Sequence, residues 1–365
     1  MDYKYSLRYF KEGWKSRLTN KPLFVTFFIT ARCNMRCKHC FYWKEMEKAR
    51  KSSELSLSEI ELLSKNMPPF PQLLIMGGEP FLRDDLYDII KLFYHNNHTR
   101  FFILPTNGYF SDRVYSLCEK IITEMSDAYL LLHLSIDGVG EEHDRIRGLR
   151  GSFVRLMQTY EKVSLLEKAD NNLYIEFLTC CSSFNKSAIE EMLRYLKEKY
   201  GVGTLCYNLV RAHPLDKEAK DIRPEDYLEL INILHRDYKL KSIFEKLYYL
   251  RRKSVSYLNY ENLKKKRKFL PCFAGRLNVV ISEEGIIYPC ELLPIPMGDL
   301  RKERFDFNKI WSSEETERVR DEVRKCSIRC THETNVITNS TFSLKAYFYL
   351  FYLLLRSRPK KFISQ

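Results

Sequence analysis

Between Leu23 and Val210 short apolar runs alternate with longer amphipathic stretches, and this limits the folds open to the chain more than any other feature. The apolar runs are 23–30, 73–76, 101–104, 129–136, 173–179 and 204–210. The stretches between them, such as 84–96, 111–124, 152–168 and 186–200, read as helices. Ser58, Ser111 and Ser152 stand where three of these helices would be capped. Near-continuous apolar strands separated by helices spell an α/β chain with a parallel sheet covered by helices. Six such units suit a partial (β/α)6 TIM-like barrel, with chemistry at the C-terminal ends of the strands. A doubly wound open sheet would give a similar pattern, so periodicity alone does not choose. From Asp221 to Leu270 the pattern turns helical and basic, and then 277–282 and 286–288 flank Glu283-Glu284-Gly285, a hairpin signal.

The formal charge of +13 would suit nucleic acid, anionic lipid or an acidic substrate, or simply a basic solvated surface. Much of the excess sits in local runs such as Lys264-Lys265-Lys266-Arg267-Lys268, so no continuous groove follows and no nucleic-acid partner is expected. The start, Met1-Asp2-Tyr3-Lys4-Tyr5, lacks a basic region followed by an apolar stretch, and the expectation is a cytoplasmic chain. In that setting eleven cysteines indicate reduced thiols and metal ligation. Seven fall into two spaced groups; Cys118, Cys180, Cys181 and Cys206 lie in helix-like or strand-like stretches and read as core.

The first group, Cys33-Asn34-Met35-Arg36-Cys37-Lys38-His39-Cys40, follows the first strand directly. Three thiolates so placed suit three irons of a [4Fe–4S] cube with the fourth iron open, or a zinc site completed by another ligand such as His39. Met76-Gly77-Gly78-Glu79-Pro80 ends the second strand; glycines there allow close backbone approach, and a carboxylate can accept from an ammonium. Thr106-Asn107-Gly108 ends the third strand and Ser135-Ile136-Asp137-Gly138 the fourth, followed by His143-Asp144-Arg145-Ile146-Arg147-Gly148.

These motifs resemble the radical S-adenosylmethionine (SAM) superfamily, whose C-x3-C-x2-C follows the first barrel strand; the likeness spans about Pro22 to His332. It implies that Cys33, Cys37 and Cys40 hold a [4Fe–4S] cluster bound with SAM. His39 takes the place of a residue lying against the adenine. Gly77, Gly78, Glu79 and Pro80 match the family's GGEP element at the methionine moiety. Thr106, Asn107, Ser135 and Asp137 lie where ribose hydroxyls and the SAM carboxylate are held. Arg147 reads equally as a carboxylate contact or as a salt-bridge partner of Asp137 or Asp144.

Cys272 opens a segment that reaches Cys290 through Gly285, and Cys326 and Cys330 add a C-x3-C. This resembles a shortened SPASM domain, often called Twitch, since no C-x2-C-x5-C run precedes the last pair. The resemblance implies one auxiliary [4Fe–4S] cluster on Cys272, Cys290, Cys326 and Cys330, with His332 as an alternative ligand; a zinc knuckle is the competing use of the same cysteines. The chain then divides into an N-terminal extension (1–21), a radical SAM partial barrel (22–220), a helical basic connector (221–270), a SPASM/Twitch-like auxiliary cluster domain (271–335) and an apolar, basic C-terminal segment (336–365). In that segment ten uncharged residues from Ala346 precede Arg356, Arg358, Lys360 and Lys361. Ten is short of the roughly 20 needed to span a bilayer. The run reads as a helix docked on protein or as a peripheral membrane contact.

By resemblance, a flavodoxin- or ferredoxin-type reductant feeds reductive cleavage of SAM, and the 5′-deoxyadenosyl radical abstracts a hydrogen atom from the substrate. An auxiliary cluster suits an oxidation or cross-link, and the branch points to a peptide or protein substrate. A sugar, nucleoside or lipid is the alternative, favoured by the lack of a peptide-clasping domain before Pro22. A non-catalytic iron–sulfur electron carrier would keep the clusters and make no use of Glu79 or Ser135.

Overall fold

In the computed structural model, which describes residues 3–169, 172–235, 243–265, 270–328 and 330–348, each of the six apolar runs forms a strand. These are β1 (Phe24–Thr30), β2 (Gln72–Gly77), β3 (Phe101–Thr106), β4 (Tyr129–Ser135), β5 (Leu173–Cys181) and β6 (Cys206–Leu209). They pair in sequence order and all in parallel, as right-handed crossovers through intervening helices require. This is the partial barrel expected from the alternation.

Along each strand the side chains alternate between two apolar environments. Val25, Phe27, Ile29, Leu73, Ile75 and Phe102 face the covering helices, where helix Leu86–Asn96 presents Ile89, Ile90 and Phe93, all fully buried. Burial of each such side chain stabilises the fold by about 1.5–3 kcal/mol. Phe24, Leu74, Ile103, His133 and Glu176 face the lumen. At the N-terminal ends of the strands the lumen has an apolar floor of Leu23, Phe101, Leu131, Leu277 and Phe342. Helix Tyr3–Thr19 covers that floor: Trp14 packs edge-on to Phe342 at 6.0 Å, and a Cβ on Gly13 would lie 2.0 Å from the same ring. Only glycine lets the helix approach so closely.

The C-terminal unit joins the barrel through its own backbone. Strand β7 (Asn278–Ile281) pairs in parallel with β1, with Phe24 opposite Asn278, so it extends the barrel sheet. It turns through Gly285 (φ +88°) into the antiparallel β8 (Ile286–Tyr288), the expected hairpin, and β9 (Gly298–Asp299) follows. In the connector, helices Pro224–Leu234 and Ile243–Lys265 contribute the buried Tyr227, Val255 and Leu258.

The expected caps differ in detail. Ser56, not Ser58, caps helix Leu57–Asn66, because its hydroxyl and Glu59 form a reciprocal capping box. Ser111 is already the first residue of helix Ser111–Glu124, with Phe110 at the cap position. At helix Ser152–Ala169 the Asp144 carboxylate accepts from the N–H groups of Gly151 and Phe153 and from the Ser152 hydroxyl, so Asp144 supplies the cap. Among the described residues no helix is long and apolar enough to cross a membrane. The proposed tail contact falls mostly on residues 349–365, outside the described residues.

Candidate active site

The loop carrying the first three cysteines is held from several sides. At its start the Thr30 hydroxyl donates to Glu54, whose two oxygens also accept from Arg32 Nε and Nη2 at 2.8 and 3.0 Å. In the middle, Arg36 N donates to Arg147 O at 3.2 Å and Lys38 N to Ile146 O at 2.9 Å. Farther along, Cys40 O accepts from Leu215 N at 3.0 Å and Lys38 O from Asp216 N at 2.8 Å. Gly148 has φ +70°, and a Cβ there would stand 2.7 Å from Arg36 O. The chain thus docks on the end of helix Glu141–Arg147 only because residue 148 has no side chain.

Cys33, Cys37 and Cys40 line one cavity of about 420 Å³. Burial, with a smaller contribution from the Glu79 charge, pushes the Cys33 thiol up to about 12; burial likewise raises Cys37, and Cys40 to about 12. Such thiols ionise only when something replaces the proton, which is what metal ligation does. Three thiolates on one wall suit three irons of a cube with the fourth iron open. Met35 N donates to Cys33 Sγ at 3.4 Å and Arg147 Nη1 to Cys37 Sγ at 3.8 Å, donors of the kind cluster thiolates accept.

Where β2 ends, Gly78 N donates to Thr30 O and Glu79 N to Arg32 O, both at 2.8 Å. A Cβ on Gly77 would lie 2.1 Å from Thr30 O, and one on Gly78 would lie 2.2 Å from Arg32 O. The two glycines therefore serve first to press this turn against the cysteine loop. Glu79 is buried and its carboxylate accepts from Phe81 N (3.2 Å), Thr106 Oγ1 (2.8 Å) and Asn107 N (2.8 Å). Burial raises its pKa to about 7 against those hydrogen bonds. Pro80 opens a short turn, Pro80–Leu82, beside it. Thr106 and Asn107 thus hold Glu79, and the Asn107 amide also donates to Asn34 at 2.8 Å.

Asp137 anchors the opposite wall. Its Oδ1 accepts from Thr179 Oγ1 (3.0 Å) and Cys180 N (2.9 Å), and its Oδ2 lies 2.6 Å from Arg147 Nε. Of the two salt bridges open to Arg147, the one with Asp137 forms, while Asp144 is engaged at its helix cap. His39 Nε2 lies 3.6 Å from the same Oδ2, and burial lowers its pKa. Both His39 and Ser135 line the cavity with Gly77, Gly78, Glu79 and Pro80.

Beside the second cysteine group, Glu291 and Glu333 line this same cavity. Burial, with the charge of Cys272 adding to it, pushes the Cys290 and Cys330 thiols up to about 12. Cys326 ends helix Glu314–Lys325. His332 is otherwise used: its Nδ1 accepts from Asn335 N at 3.3 Å and its Nε2 lies 3.2 Å from Glu291. Sequence reasoning missed what joins the two halves. Arg211, just after β6, pairs with Glu291 at 2.7 Å and Glu333 at 3.3 Å, and stacks over Phe41 at 5.1 Å. Burial opposes ionisation of Glu291, but Arg211 and His332 hold it down to about 2. The signal available was that Glu291 adjoins Cys290 and Glu333 follows Cys330 closely.

Residues 27–165 match the family model of the radical SAM superfamily, and residues 272–331 that of SPASM, an iron–sulfur cluster-binding domain. The chain is a radical SAM protein with a SPASM domain. This radical SAM chain is 26% identical over 326 residues to an AdoMet-dependent heme synthase of Methanosarcina barkeri, covering 82% of this chain and 84% of the relative. It is 24% identical over 319 residues to the subtilosin biosynthesis protein AlbA of Bacillus subtilis, covering 80% of this chain and 62% of AlbA. Its fold matches that of anSMEcpe with bound AdoMet at a TM-score of 0.58 and 16% identity, over 91% of this chain and 99% of the other. The radical SAM and SPASM domains imply a SAM-bound [4Fe–4S] cluster and auxiliary iron–sulfur ligation, and the buried thiols of the first group with the donors to Cys33 and Cys37 fit the former. When bound, the first cluster supplies the electron that cleaves SAM. The chain's own residues hold the cysteine loop, fix the Glu79 carboxylate at the cavity wall and close the lumen floor with apolar side chains.

Proposed function

We propose that the chain oxidises or cross-links a peptide or protein by hydrogen-atom abstraction in the barrel lumen, with the auxiliary cluster taking the substrate's electron. The observation that carries this reading is one continuous cavity. It is lined both by Cys33, Cys37, Cys40 and Glu79 and by Glu291 and Glu333, sequence neighbours of the auxiliary cysteines. A substrate there would lie between the hydrogen-abstracting site and an electron acceptor. Peptide chemistry is supported by the subtilosin relative and by the SuiB fold match, solved with the precursor peptide SuiA, at a TM-score of 0.58 and 12% identity. The reductant in this reading is a flavodoxin- or ferredoxin-type protein.

A second reading, oxidation of an iron tetrapyrrole, is favoured by relatives named heme synthase that align over 82% and 80% of the chain. One experiment separates them. Cluster-loaded protein, SAM and reductant are supplied with a peptide library or with an iron porphyrin carrying propionates, and 5′-deoxyadenosine is quantified. The peptide reading expects stimulation by peptide alone. Stimulation by the porphyrin alone, or by neither, overturns it.

A further inference from the structure

Deep in the lumen three chemically different ligands converge. His133 on β4, Glu176 on β5 and Cys206 on β6 offer an imidazole nitrogen, a carboxylate oxygen and a sulfur that all lie within 4.8 Å of one another. The sheet register brings them together: His133 stands opposite Glu176, and Cys206 opposite Leu178, the next residue of β5 on the same face. Cys206 Sγ is 2.6 Å from Glu176 Oε2, and His133 Nε2 is 3.5 Å from that oxygen. His133 Nε2 is buried and has no hydrogen-bond partner. The guanidinium of Arg252 lies 4.0 Å from the other carboxylate oxygen, Oε1, and also interacts with the Cys206 thiol, favouring its thiolate form.

We propose that His133, Glu176 and Cys206 bind one divalent transition-metal ion of the zinc or ferrous class, separate from both cysteine groups. One imidazole, one carboxylate and one thiolate make a three-ligand set typical of a zinc site with an open coordination position. All three residues line the same cavity as Glu79 and Ser135, so the open position faces the space left for substrate. His133 stands two positions before Ser135 on β4, which sets the ion roughly 7 Å deeper than the strand's C-terminal end at about 3.3 Å per residue. An oxygen or nitrogen donor of the substrate bound to this ion would be anchored below the hydrogen-abstracting site. Binding would release the Cys206 proton now shared with Glu176.

The deeper anchor rests on the lumen being the substrate site, but ion binding is testable without turnover. Zinc is added to anaerobic protein with its iron–sulfur clusters assembled, and zinc stoichiometry and zinc K-edge absorption are measured. The expected result is one tightly bound zinc per chain with one sulfur ligand near about 2.3 Å and nitrogen or oxygen ligands near about 2.0–2.1 Å. Cys206→Ala should remove the sulfur ligand, and His133→Gln should weaken zinc by more than the roughly 10–100-fold typical of losing a supporting contact. Unchanged iron content in both variants shows that the fold and clusters persist. No stoichiometric zinc, zinc with three or more sulfurs, or binding unaffected by both substitutions overturns the proposal.

Discussion

Arg147 and Asp137 form a buried ion pair, Nε to Oδ2 at 2.6 Å, and the same guanidinium reaches Cys37 Sγ at 3.8 Å. A single cation therefore serves both the wall of the site and one cluster thiolate. Arg147→Met would leave Asp137 buried without its cation, which should cost about 3–5 kcal/mol. Anaerobic denaturant titration measures the loss, and adding Asp137→Asn should recover part of it. An unchanged midpoint in the single variant would show that the pair contributes nothing.

Iron content checks the two-cluster assignment. Reconstituted protein should carry about eight irons, the sum of two four-iron cubes. Replacing Cys33, Cys37 and Cys40 together by Ala should leave about half. Zinc at Cys272, Cys290, Cys326 and Cys330, with about four irons in the parent, would remove the auxiliary cluster from the account.

The turn at Gly78 admits no side chain. Its Cβ would meet Arg32 O at 2.2 Å and Ala31 O at 2.8 Å, both backbone atoms of the cysteine loop. Gly78→Ala should displace that loop and lose the first cluster while the auxiliary iron remains. Full iron in that variant would show that the two backbones can separate without harm.

SAM binding should depend on pH through Glu79, whose pKa burial raises to about 7. A raised carboxyl pKa means the SAM-free fold binds the proton more tightly than the unfolded chain does. That contribution to stability is full below about pH 4 and is lost as pH rises through 7. A SAM ammonium favours the carboxylate, so SAM affinity should climb from pH 6 and level off near pH 8. Isothermal titration with Glu79→Gln should give a flat profile and weaker binding, roughly tenfold or more for a lost charge-assisted bond. A sloping profile in that variant would assign the titration elsewhere.

The last turn of the described chain is anchored. Ala346 is fully buried with Val255, Leu258, Leu270 and Val336, while Phe348 is exposed. Truncation before Ala346 should therefore open an apolar patch and cause aggregation. Flotation of the full-length protein with anionic liposomes, weakened by salt, would instead place the following basic stretch at a membrane.

The parallel barrel was legible because each strand is a nearly continuous apolar run bounded by an amphipathic helix. The placement of Glu79 was legible because two glycines and a proline mark a turn at a strand's end. The Arg211–Glu291–Glu333 bridge was not, since its members lie 80 and 122 positions apart and meet only through tertiary packing. Cys180 and Cys206 read as core, yet both face the lumen, whereas Cys118 and Cys181 are wholly buried. A finer signal was present: His133 and Glu176 interrupt apolar strands at alternate positions, as a polar lumen requires. The parallel pairing of β7 with β1 had no local mark at all.

That pairing restricts how such a chain can be rebuilt. The strand that delivers Cys33 has β2 on one edge and the auxiliary unit's first strand on the other, so the two cysteine-bearing units share one continuous sheet. A chimera that exchanges residues 272–331 for another protein's segment replaces a hydrogen-bonded neighbour of the catalytic loop. The donor segment would have to match the register of Phe24 with Asn278 before its own cysteines mattered. Transplanting an auxiliary iron–sulfur unit between relatives is here a problem of strand alignment.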